Sequence, residues 1–116
     1  MLTDLAIQSL RDRMLLLRSL PAFSALEEEA LSLLAEHMRV RRCRDGEQLL
    51  ALGEPVRFAY VVLEGELRWR RKGRAETTSG LHGVVGWLAL LAREPAGLDA
   101  YALGPALVLE LPADAL

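Results

Sequence analysis

The chain has a single cysteine, Cys43, so no disulfide can form within it and its fold must be held by packing alone. Its two histidines, His37 and His82, stand 45 residues apart, and neither has a second ligand at a spacing that builds a metal site. No serine or cysteine is set beside a histidine and an orienting acid in a catalytic motif, so no catalytic residue is assigned and an enzyme is not expected. Apolar runs are interrupted by Arg, Glu or Gly well short of the ~20 residues that a membrane-spanning helix needs. No charged segment followed by an apolar run and a small-residue cleavage site opens the chain. Together these absences point to a reducing, cytoplasmic setting without membrane contact.

What is present suits one folded domain over residues 1–116. The hydrophobic share is 52% and the charged share 26%, which excludes a disordered tail. Fourteen Lys and Arg against 16 Asp and Glu give a net charge of -2, with no basic excess to draw the chain onto nucleic acid or anionic lipid. Lys72 is the one lysine, an arginine bias that reads as coding composition. Arg68, Arg70, Arg71, Lys72 and Arg74 around Trp69 interleave cations with an aromatic, as single-strand binders do. The solvated outer face of a hairpin accounts for them more simply, and no direct nucleic-acid contact is expected.

Residues 1–38 read as helical. From Thr3 to Leu20, Ile7, Leu10, Met14 and Leu17 recur at intervals of three, four and three, one stripe of an amphipathic helix that Pro21 ends. Ser24 and Glu27 have capping-box spacing, and Ala30, Leu31, Leu34, Ala35 and Met38 form the buried face of a second helix. From residue 39 to 111 the texture changes to short runs bounded by Gly, Pro and charge. "RVRRC", "EQLLAL", "FAYVVL", "ELRWRR", "VVGW", "LDAYAL" and "ALVLEL" read as successive strands. In "ELRWRR", Leu67 and Trp69 alternate with Arg68 and Arg70, giving one dry and one wet face, and "RKGR" reads as a hairpin turn at Gly73. Cys43 falls in a strand as a small buried hydrophobe. Residues 112–116 read as the first turn of a further helix, as in a module cut from a longer protein.

The expected fold is therefore mainly β with flanking helices, a jelly-roll-like β-roll with N-terminal helices and a truncated C-terminal helix. The paucity of histidine separates it from the metal-binding cupins, another β-roll class.

Within "GEPVRFAYVVLEG", Gly53 has an acidic neighbour, Glu54, and a second glycine, Gly65, follows twelve positions after the first. "VGWLAL" is a glycine-led turn opening a helix, and Gly86 lies 21 residues beyond Gly65. These fragments, in this order, resemble the cyclic-nucleotide-binding domain family, from about Leu17 through "LPAF" to the closing "ALVLELPADAL". The resemblance implies that the two glycines bracket two strands of a double-stranded β-roll and that Gly86, Trp87, Leu88 and Ala89 begin its phosphate-binding cassette. In members that bind cyclic nucleotide, a glutamate after the cassette glycine takes the ribose hydroxyl and a later arginine pairs with the cyclic phosphate. Here the glutamate position is Trp87, and the arginine position falls on Ala96 or Leu98 in the stretch that runs on to Asp99 and Ala100. Arg93 is the nearest cation but lies three to five residues too early.

Losing two charge-assisted hydrogen bonds removes about 3 to 6 kcal/mol, roughly two to four decades of affinity. cAMP or cGMP is thus not favoured as a ligand, and no cofactor is assigned. An indole in the ribose space would plug the pocket from within; the alternative is a Trp87 that points away. What remains is a helix start whose N–H groups could hold an anion. The expected function is a regulatory module of a bacterial signalling or transcription protein with a degenerate ligand site. It would act through other domains of its parent or a protein partner, with the stripe of Ile7, Leu10, Met14 and Leu17 either packing on its own β-roll or offering a homodimer or partner contact. The alternative is a sensor for a non-standard nucleotide or other anionic ligand in the β-roll.

Overall fold

The computed structural model describes residues 9–115. Helix α1 spans Leu10–Ser19, and Ser9 caps it by accepting from the Asp12 N–H at 3.0 Å. Leu17 is buried and Met14 half-buried, but Leu10 faces solvent and Leu15 is 58% exposed. The expected stripe therefore holds only towards the helix end; Ile7 and the expected helix start lie outside the described residues. Pro21 stops α1 as expected and begins a 3₁₀ turn, Pro21–Phe23.

Helix α2 runs Glu28–His37 and buries Leu31, Leu34 and Ala35, with Ala30 half-buried and Met38 buried just beyond its end. The expected capping box does not form. Glu27 is the N-cap, and the Ser24 hydroxyl donates instead to the Pro21 carbonyl at 3.0 Å. The intervening turn consumes Ser24, and the Arg18 guanidinium closes it by donating to the Ser24 and Leu26 carbonyls.

Six strands follow where seven segments were expected. They are β1 (Arg39–Cys43), β2 (Gln48–Leu50), β3 (Phe58–Arg71), β4 (Thr77–Ser79), β5 (Val84–Val85) and β6 (Leu98–Pro112). "FAYVVL" and "ELRWRR" are one strand, as are "LDAYAL" and "ALVLEL", because each pair continues through a glycine without a reversal. "VVGW" supplies only two strand residues before the chain turns, and β4 was not expected. The "RKGR" hairpin is present, with Gly73 at φ 74° and the Arg74 N–H on the Arg71 carbonyl at 3.0 Å.

β3 and β6 pair antiparallel from Phe58 opposite Pro112 to Arg71 opposite Leu98, and shift register on both sides of Glu64. β1 and β2 pair with β6, and β4 and β5 pair with β3, all antiparallel. The register shift centres on Gly65, at φ 80°, where a Cβ would stand 2.6 Å from the Pro105 carbonyl oxygen. Only glycine permits both that backbone conformation and that approach.

The halves of the two long strands nearest the helices, 59–63 and 106–109, are buried on both faces, which explains their unbroken apolar runs. Ala59, Val61, Leu63, Leu107, Leu109 and Leu111 pack with Leu17, Phe23, Leu31 and Leu34 of the helical layer. Tyr60, Val62, Leu67, Ala100, Ala102 and Val108 face the other way, into the roll with Cys43 and Val85. Cys43 is the small buried hydrophobe expected, and burial pushes its thiol above the ordinary value. After β6 the chain makes one 3₁₀ turn, Ala113–Ala115, secured by the Ala113 N–H on the Arg57 carbonyl at 3.0 Å.

Candidate functional site

The cassette begins where β5 gives way to helix α3, Trp87–Ala92. Gly86 is its N-cap at φ 86°, a conformation that disfavours any side chain, and a Cβ there would also press Leu50 Cδ1 at 3.0 Å. Six residues make fewer than two turns, which limits the dipole that could hold an anion. α3 closes through Arg93 in the left-handed region, φ 55°, with the Arg93 N–H on the Leu90 carbonyl and the Glu94 N–H on the Ala89 carbonyl. That pair of bonds is a Schellman-type end.

The loop after α3 is pinned to the turn between β2 and β3. Pro55 bridges Pro95, the Gly53 N–H donates to the Ala96 carbonyl and the Ala96 N–H donates to the Glu54 carbonyl, both at 2.8 Å. Ala96 is thereby held with 4% exposure against the roll interior.

Between α3, this loop and the ends of β2 and β3 lies an open cavity of about 770 Å³. Six of the nine sequence-expected residues line it: Gly86, Trp87, Leu88, Ala89, Ala96 and Leu98. The other three do not. Arg93 is the exposed cap of α3 in the left-handed region and is not among the residues that line the cavity. Asp99 is outward of Leu98 by strand alternation, and its Oδ1 accepts from the Leu52 N–H at 2.8 Å and Gln48 Nε2 at 3.4 Å. Ala100 is fully buried in the roll core beneath the cavity.

The expected plug is corrected by the packing of Trp87. Its ring meets Phe23 edge-to-face, centroids 4.6 Å apart at 67°, in the core under the helices. Trp87 is one wall of an open cavity rather than its filling, its ring packed with Phe23 and Leu90 in the core. The cost of expelling an indole before a ligand could enter therefore does not arise.

Two residues that sequence reasoning did not assign to the site contribute its charge. Arg71 and Glu94 are the charged residues among those lining the cavity. Leu67, Trp69 and Arg71 share one face of β3 by strand alternation, and the Arg71 Cζ lies 5.8 Å from the centre of the Trp69 ring. Arg71 thus stands apart from the face that bears Arg68 and Arg70, though it is solvent-exposed as expected of the hairpin. The signal was present: the same alternation that made Leu67 and Trp69 dry puts Arg71 in phase with them. On the outer face, Arg68 pairs with Glu76 at 3.4 Å and Glu76 accepts from the Tyr101 hydroxyl at 3.1 Å. In the roll interior, burial, reinforced by Glu110, pushes the Tyr60 phenol up to about 12.

Among the described residues, no three His, Cys, Asp or Glu side chains converge on a point that could hold a metal ion, and no helix is long and apolar enough to cross a membrane.

The profile of the cyclic nucleotide-binding domain family matches residues 40–116. A cAMP-dependent protein kinase regulatory subunit of Yarrowia lipolytica is 26% identical over 89 residues, covering 77% of this chain and 24% of the relative's own length. The regulatory domain of Toxoplasma gondii PKA, solved with cAMP, superposes with a TM-score of 0.74 at 21% identity, covering 96% of this chain and 45% of that one. A cyclic nucleotide-binding-like protein from Brucella abortus superposes with a TM-score of 0.71 at 21% identity, covering 90% and 93%. At these identities the superpositions establish the β-roll fold.

Proposed function

Because this chain belongs to the cyclic nucleotide-binding domain family, we propose that it is a non-catalytic regulatory module whose response to cAMP and cGMP is weak or lost. The observation that carries this reading is the cassette wall itself. Where binding members place glutamate and arginine, this cavity presents Trp87, committed to Phe23, and Ala96, a methyl pinned between two backbone hydrogen bonds. Leu98, the other position for the arginine, is also apolar. Two absent charge-assisted bonds correspond to about 3 to 6 kcal/mol, roughly two to four decades of affinity.

The module works within a larger cytoplasmic signalling or transcription-regulatory protein of bacterial type, passing its state to neighbouring domains or a protein partner. Of this reading, the relative from Yarrowia lipolytica supports only the place within a longer regulatory protein, since the chain spans about a quarter of that kinase regulatory subunit. Calorimetric titration with cAMP and cGMP tests the reading. No saturable binding is expected below ~10 µM, equivalent to roughly 7 kcal/mol; a tighter constant for either nucleotide overturns it.

A second reading is favoured by the cavity's remaining open. An unfilled apolar volume of about 770 Å³ is within the range of small-molecule sites and fits a sensor for a different ligand.

A further inference from the structure

We propose that the cavity binds a small monoanion with an apolar body, and that Arg71, from β3, supplies the contact to its charge. The inference rests on the second reading above, that this cavity is a ligand site, and assigns the ligand class.

Three observations carry it. The walls that Trp69, Val85, Leu88, Ala96 and Leu98 contribute are apolar, so they reward burial of hydrocarbon or ring surface and offer no acceptor to a sugar hydroxyl. Arg71 stands in phase with Leu67 and Trp69 on the interior face of β3 and opposite Leu98 of β6. Arg71 is exposed at the hairpin end of the strand while lining the cavity, so its charge is open to a ligand entering from solvent. Finally, the guanidinium has no carboxylate within ion-pairing distance among the described residues, and it lies over the Trp69 ring. The ring orients the planar fork while leaving its N–H donors to a ligand, the geometry in which arginine recognises carboxylate, sulfonate or phosphate oxygens.

Glu94 limits the charge. It lines the same cavity without pairing with Arg71, so the lining carries no net charge and a second negative group on the ligand would meet a carboxylate. A single charge satisfies Arg71 and keeps the remainder of the ligand apolar.

The test compares two fluorescent probes of similar shape on the whole chain, anilinonaphthalene sulfonate, a monoanion, and phenylnaphthylamine, its neutral counterpart. The sulfonate should bind saturably at one site. Arg71→Gln should weaken it tenfold or more while changing the neutral probe less than twofold, and Arg71→Lys should recover part of the loss. Arg70→Gln removes the same charge from the outward face and should leave both probes within twofold. Equal losses in Arg70→Gln and Arg71→Gln, loss of both probes in Arg71→Gln, no loss in either, or no saturable sulfonate binding each overturn the proposal. Tight cAMP binding would sink the reading of a lost nucleotide response whatever the probes do; probe failure without cAMP binding sinks the monoanion site and leaves that reading standing.

Discussion

Phe23 and Trp87 meet edge-to-face, their ring centres 4.6 Å apart, and join the 3₁₀ turn before α2 to the first residue of the cassette helix. The contact ties a ligand-site element directly to the helical layer, so the position of α3 and the packing of the N-terminal helices are one mechanical unit. Replacing Trp87 by alanine is expected to cost about 3–5 kcal/mol, as for other buried tryptophans. A double-mutant cycle of Phe23→Leu and Trp87→Leu should show a coupling of roughly 0.5–1.5 kcal/mol beyond the single losses. Urea denaturation measures both; additivity within ~0.3 kcal/mol would mean that the rings share only a common core.

Gly65 is expected to be the least replaceable glycine of the two that carry the family resemblance. A Cβ at Gly65 meets the Pro105 carbonyl oxygen at 2.6 Å and Ala106 Cα at 3.0 Å, whereas a Cβ at Gly53 meets nothing within 4 Å. Both have positive φ, 80° and 85°, so the conformational cost of about 1–2 kcal/mol is common to them. Overpacking adds about 1–3 kcal/mol at Gly65 alone. Gly65→Ala should therefore destabilise the fold clearly more than Gly53→Ala in the same denaturation assay, and equal losses would contradict the close approach.

Stability should fall in acid partly through Glu47. Its carboxylate accepts from the Arg44 N–H at 3.1 Å and from the Arg41 guanidinium, which hold it below its ordinary value of 4.5. A carboxylate depressed in the folded state adds stability that is present above its unfolded value and is lost as pH falls through the folded one. Glu47→Gln should lower the melting temperature near neutrality and flatten its fall below about pH 5. The same acid slope in both proteins would remove Glu47 from the account.

How much of this was legible differs from element to element. The hairpin at Gly73, the buried face of α2 and the turn at Gly86 follow from local rules, a glycine where φ must be positive and apolar residues at helical spacing. The capping box failed because Ser24 had a nearer competitor, the Pro21 carbonyl, which spacing alone cannot reveal. The strand count failed because a glycine such as Gly65 can bend a strand as well as end it, and which it does depends on the partner across the sheet. Arg71 is solvent-exposed, as a hairpin's basic run suggests, but that it also lines the cavity depends on where β5 and α3 pack beside β3, which its charge does not reveal.

The sequence by itself determined the class of fold and the apolar identity of Trp87, Ala96 and Leu98, on which the proposed loss of nucleotide response rests, because residue identity decides which groups can bond a phosphate or a ribose. Where Trp87 lies, and hence whether the cavity is filled, was decided only by tertiary structure. An indole beside a ligand site has two apolar surroundings to choose between, and the deeper contact, with Phe23 under the helices, is made by residues more than sixty positions away. Long-range packing chose the inner core and left the cavity open beside Arg71.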